Sequence, residues 1–146
     1  MSKLKEKIIA EIKKIYDPEI PVNIYELGLI YAINVDDGAD SITAQSLTGD
    51  QTLVGGGGND GLRATGKAVT LDGGEGNDSL HGGDAEDTLY GGPGDDNLSG
   101  DDGDDRLFGG PGEDTLIGGY GNDYLKAGTG EDEWRVTGDH GLDTFV

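Results

Sequence analysis

The sequence predicts an all-β repeat fold behind a short N-terminal helix–strand cap. Three observations point to it. From Gly73 to Arg135 the chain reads in nines without a gap: GGEGNDSLH, GGDAEDTLY, GGPGDDNLS, GDDGDDRLF, GGPGEDTLI, GGYGNDYLK, AGTGEDEWR. A fixed short period marks a repeat architecture, whose units bury their apolar faces only against their neighbours. Within each unit, glycine or alanine stands first, aspartate sixth and a large apolar residue eighth. The composition also breaks near Val35–Gly38. Residues 1–36 hold six acidic residues, five Lys and one Gly; residues 37–146 hold 24 acidic residues, five Lys or Arg and 28 Gly.

Taken in order, Ser2–Tyr16 reads as an amphipathic helix, because Leu4, Ile8, Ile12 and Ile15 recur at spacings of three and four. Asp17-Pro18 ends it, since the residue before proline is pushed out of helical angles. Asn23–Gly28 reads as one helical turn and Leu29–Val35 as a strand with Leu29, Tyr31, Ile33 and Val35 on one face. Residues 37–54 read as an irregular linker or degenerate repeat: Ser46–Val54 has Leu53 at the eighth place but Gln51 at the sixth. Gly55–Arg63 is a complete unit. Ala64–Asp72 keeps Leu71 but has Val69 where aspartate belongs, which reads as a turn that holds register without a cation. After Arg135 two residues, Val136 and Thr137, are inserted, and Gly138–Val146 resumes the pattern with Asp143 and Phe145.

The charge excludes some functions. A net charge of −20 repels nucleic acid and anionic membranes and favours cations. No run of about 18 apolar residues is present, so no membrane insertion is expected. With no Cys there is no disulfide framework and no thiolate metal site.

Tyr16–Val35, YDPEIPVNIYELGLIYAINV, resembles the opening of the SufT/PaaD-like family of small iron–sulfur-assembly proteins. The words DPEIP and ELGLIY carry the resemblance, which stops after about 35 residues. That family implies further strands, a second helix and a functional cysteine, none of which follows here. Two readings of the segment stand: a cap on the open end of a repeat stack, or a working assembly domain, which the missing Cys disfavours.

The nonads have a physical logic. Places one to six reverse the chain, which needs the positive φ angles that glycine adopts cheaply. Places seven to nine form a three-residue strand whose middle side chain faces inward. Those side chains are Leu62, Leu71, Leu80, Leu89, Leu98, Leu107, Leu116, Leu125, Trp134 and Phe145. The unit resembles the G-G-x-G-x-D-x-U-x calcium-binding repeat of the RTX (repeats-in-toxin) family, from about Gly55 to Val146. The resemblance implies a right-handed parallel β-roll with two nonads per coil, calcium held between turns, and secretion from the cell.

With two nonads per coil, the sixth-place carboxylates fall into two columns. Asp60, Asp78, Asp96, Asp114 and Asp132 lie on one edge; Asp87, Asp105 and Asp123 lie on the other, where Asp143 joins them. Coils stack about 4.8 Å apart, so the carboxylates repel unless a cation lies between them. Ca²⁺ accepts six to eight oxygens in a tolerant geometry, whereas Mg²⁺ demands a tight octahedron. Turn carbonyls, with those of Gly73, Gly76, Gly91, Gly94, Gly109 and Gly112 foremost, complete the ligand set. About six or seven Ca²⁺ ions are expected. A core one side chain thick cannot by itself offset the entropy of ordering so much glycine. Calcium is therefore expected to drive folding.

No other motif carries chemistry. His81 and His140 lack any HExxH partner and read as surface residues. No nucleophile elbow or P-loop is present, so no enzyme is expected. Tyr90 and Phe108 hold the ninth place of alternate units, with Lys126 following. They should stack on one outer face, either stabilising the sheet or offering a contact surface to a protein partner. Pro93 and Pro111 stiffen the third place of stacked turns. The junction of the two resemblances gives the chain the look of a chimera, and no secretion signal is visible.

Overall fold

The computed structural model describes residues 32–34, 38–45, 51–130, 133–135 and 141–146. The helix expected at Ser2–Tyr16, Asp132, His140 and the side chain of Trp134 lie outside them. Among the described residues every regular element is a strand. They are β1 (Ala32–Asn34), β2 (Ser41–Gln45), β3 (Gln51–Gly57), β4 (Gly61–Thr65), β5 (Val69–Glu75), β6 (Ser79–Gly83) and β7 (Thr88–Tyr90). There follow β8 (Asn97–Asp102), β9 (Arg106–Pro111), β10 (Thr115–Tyr120), β11 (Tyr124–Thr129), β12 (Glu133–Arg135) and β13 (Thr144–Phe145).

Odd and even strands separate into two sheets. One runs β1-β3-β5-β7-β9-β11-β13 and the other β12-β10-β8-β6-β4-β2. Neighbours are parallel throughout, so the chain winds through one sheet, turns, crosses the other and returns one coil further on. Leu71 pairs with Leu89 and Leu89 with Leu107, one coil of two nonads apart. At the ends the step lengthens. Ile42 pairs with Leu62 and Leu125 with Phe145, each 20 residues on. The second long step agrees with the insertion at Val136-Thr137.

The core is a double file of leucines. Leu53, Leu71, Leu89, Leu107 and Leu125 fill one sheet's inner face and Leu62, Leu80, Leu98 and Leu116 the other's; all are at most 1% exposed. Phe145, expected inside, is 48% exposed. It stands in β13, which among the described residues pairs with β11.

Residues 37–54, read as an irregular linker or degenerate repeat, contain β2 and the start of β3, which pair with β4 and β5. One expectation is corrected. Most strands outlast the expected three residues: β10 and β11 have six each and run on into the next turn. The reason is continued pairing between coils. The second-place N–H of Gly92 donates to the Gly109 carbonyl at 2.9 Å, and the fourth-place N–H of Gly94 to the Pro111 carbonyl at 2.9 Å. Gly92 holds a φ of 109° and sits so close to the Gly74 carbonyl that no Cβ fits. Among the described residues Asp101 is the non-glycine residue that takes such a φ, 75°; aspartate tolerates it better than most, and Ser99 Oγ holds it by donating to Asp101 Oδ1 at 2.6 Å.

On the outer face Tyr90 and Phe108 stack, with ring centroids 4.9 Å apart and planes 12° from parallel. Tyr124 extends the group at 5.8 Å. Lys126 pairs in register with Phe108, as expected.

Candidate metal centre

The sixth-place aspartates stand where each turn re-enters a strand, one coil above another. Their two carboxylate oxygens have different surroundings. On the first edge, Oδ1 of Asp60, Asp78, Asp96 and Asp114 accepts the N–H of Asp40, Asp60, Asp78 and Asp96, at 2.7–2.9 Å. On the second edge, Oδ1 of Asp87, Asp105, Asp123 and Asp143 accepts the N–H of Val69, Asp87, Asp105 and Asp123 at the same range of distances. Every bond ties one coil to the coil before it.

Oδ2 turns inward. In Asp60, Asp78, Asp87, Asp96 and Asp105 this atom is buried and has no hydrogen-bond partner. A buried, uncompensated carboxylate is costly, which favours its protonated form. Burial, the largest cause, pushes Asp96 and Asp105 up to about 7 and Asp87 up to about 6, against a partial opposing effect of the N–H that each accepts. Neighbouring carboxylates push the same way: Asp78 and Asp114 on Asp96, Asp87 and Asp123 on Asp105. Asp78 is raised too, by burial first and then by Asp60 and Asp72.

The inward oxygens lie against the first residue of their own unit. A Cβ added to Gly55, Gly73, Gly82, Gly91, Gly100, Gly109 or Gly118 would collide with the Oδ2 of the aspartate five residues on. The carbonyl of the next unit on that edge approaches the same space. A Cβ added to Gly73 would stand 2.8 Å from Gly91 O, one added to Gly82 2.9 Å from Gly100 O and one added to Gly91 2.7 Å from Gly109 O. Each turn thus directs a buried anionic oxygen and a main-chain carbonyl toward one small space.

This donor set fits a hard cation. It is all oxygen, repeats at coil spacing and leaves carboxylate charge uncompensated. Among the described residues no three His, Cys, Asp or Glu side chains converge as a metal-holding group. A cation here would therefore take most of its ligands from carbonyls and the rest from stacked aspartates. Ca²⁺ held by these carboxylates and carbonyls would supply the positive charge that they lack.

Seven of the nine expected aspartates (Asp60, Asp78, Asp87, Asp96, Asp105, Asp114 and Asp123) are at most 3% exposed. Asp143 is half-buried and takes its place at the end of the second column. Gly73, Gly91 and Gly109 are buried first-place residues, and the carbonyls of Gly91 and Gly109 accept the N–H of Gly74 and Gly92 at 3.1 and 2.9 Å. The fourth-place Gly76, Gly94 and Gly112 donate to the Pro93, Pro111 and Thr129 carbonyls at 2.9–3.0 Å. His81 lies on the outer surface, 3.9 Å from Asp101.

The sequence reading missed Asp40. Its N–H meets Asp60 and its carbonyl accepts the N–H of Gly61 at 2.7 Å, which makes it the first member of the first column. Gly38-Ala39-Asp40-Ser41-Ile42 does hold the fourth to eighth places of a nonad, but the 20-residue step to the next coil hides it. A second ladder was also missed. Fifth-place oxygens of Asn59, Asn77 and Asp95 accept N–H groups from the following coil at 2.9–3.1 Å, opposite in sense to the aspartate ladder.

The description "RTX calcium-binding nonapeptide repeat (4 copies)" matches residues 46–66, 70–98 and 99–133, more than half of the chain. The chain belongs to the RTX calcium-binding nonapeptide repeat family. The RTX segment carries every buried aspartate described above. Residues 5–43 match a different description, "Iron-sulfur cluster assembly protein". There the chain is similar to an "Fe-S protein maturation auxiliary factor" of Porphyromonas gingivalis (strain ATCC BAA-308 / W83), 52% identical over 44 residues. That similarity covers 30% of this chain and 40% of the relative. The two matches meet at β2, so the first coil of the RTX roll includes residues from the segment similar to the iron–sulfur protein.

Proposed function

We propose that this chain is a calcium-responsive module, not an enzyme, whose RTX roll folds as it binds about six or seven Ca²⁺ ions. One observation carries the reading: a series of buried carboxylate oxygens without hydrogen-bond partners, at coil spacing, each beside a main-chain carbonyl. Without a cation the stacked charges oppose folding; with one they favour it by linkage. The extracellular space, where weak calcium modules work, suits such a device, and secretion is usual for RTX proteins. A calcium titration followed by far-ultraviolet circular dichroism should show β signal appearing with added calcium. A strong β spectrum in excess EDTA would refute calcium-dependent folding.

A second reading, a calcium-dependent contact surface for a protein partner, is favoured by the aromatic group on the outer face, where Tyr90 is 42% exposed. The double variant Tyr90→Ala, Phe108→Ala should then lose partner binding and keep calcium affinity; retained binding sinks that reading. Iron–sulfur assembly is supported only by the N-terminal similarity, and these 146 residues supply no Cys.

A further inference from the structure

The space against each first-place residue is shared between two possible occupants. Where the sixth residue is a buried aspartate, the first is glycine, and a methyl there would strike the inward oxygen, as at Gly91 and Asp96. Two positions on the second edge show the converse. Ala64, 1% exposed, opens the unit whose sixth place is Val69, 5% exposed. Ala44, 6% exposed, stands in register with Ala64, and Gln51 stands in register with Val69. In both, alanine accompanies a missing carboxylate, and Ala44, Ala64 and Val69 join the leucine core instead.

We infer that the first-place residue decides whether a turn can hold a cation: glycine leaves room for the inward carboxylate and alanine fills it. The rule makes an unexpected statement about the C-terminal end of the first edge. Ala127, 6% exposed, stands between Lys126 and Gly128, which pair with the neighbours of Gly109, and opens the unit that contains Asp132. The motif nominates Asp132 as a ligand, yet its first place is closed. The first column of cation-binding turns therefore ends at Asp114. The inference rests on the calcium-binding reading above and adds which turns take part.

Calcium bound to the full chain, measured by equilibrium dialysis with radioactive calcium, tests it, with circular dichroism as the check on folding. Asp132→Asn should leave the number of bound ions unchanged. Ala127→Gly should add one ion, and Asp132→Asn in that background should remove it again. Ala64→Gly with Val69→Asp should likewise add one ion on the second edge. Loss of an ion from Asp132→Asn alone, or no gain from Ala127→Gly, overturns the inference. If the double variant fails to fold in calcium, the Ala127 and Asp132 variants decide the matter. A wild-type chain that binds no calcium brings down the parent reading and this one with it, whereas normal binding with the wrong variant pattern brings down this one alone.

Discussion

Asp96 shows how one side chain performs two tasks. Oδ1 accepts the N–H of Asp78 and holds coil register, while Oδ2 is buried without a hydrogen-bond partner. An amide keeps the first task and loses the charge needed for the second. Asp96→Asn should therefore weaken calcium binding and, in EDTA, raise rather than lower the stability of the roll, because a buried charge is removed. Residual β signal by circular dichroism in EDTA and the calcium midpoint of folding check the two halves. That aspartate belongs at the sixth place could be read from the repeat. That its two oxygens part company could not, because the N–H that one of them accepts comes from 18 residues away.

At the scale of the strand, stability comes from the eighth-place file. Leu107 is fully buried, with Leu89 before it and Leu125 after it in register. Leu107→Ala should cost about 2–5 kcal/mol. Phe145→Ala should cost clearly less, since Phe145 is half-exposed in a terminal strand. Urea unfolding of both variants in saturating calcium gives the comparison. The nonad pattern identified every one of these inward positions and rightly put the leucines in the core. It did not show that Phe145 is half-exposed, nor that strands run on into the turns. Both depend on which groups the neighbouring coil presents.

Over the whole molecule the buried carboxyls act together. Asp87, Asp96 and Asp105 are raised to about 6–7 in the folded chain, by burial first, against about 3.9 for aspartate in an unfolded chain. Between those values the folded state binds more protons than the unfolded one, so stability falls as pH rises. The proton-linked stability of the metal-free roll is fully present below about pH 4 and is lost as pH rises through about 6–7. In EDTA, circular dichroism should show more β structure at pH 4.5 than at pH 8. Calcium needs the deprotonated form, so its midpoint should move to higher calcium as pH falls below 7. A metal-free spectrum independent of pH would show that these carboxyls are not buried as described.

The sequence by itself determined the period, the inward leucines, the column of sixth-place aspartates and the all-oxygen character of the site, because each is a property of one nonad repeated. It also separated the iron–sulfur-like segment from the repeats by composition. Only the tertiary structure decided that Asp40 opens the first column, that β2 and β3 belong to the roll, and that the first-place glycines face the inward oxygens. The first two depend on residues 18 or 20 apart being brought side by side, and the third on the direction that the turn gives a carboxylate whose other oxygen is held by the coil before it. The length of the step from coil to coil changes at the ends of the roll, and a pattern counted in nines cannot show which turn then stacks on which.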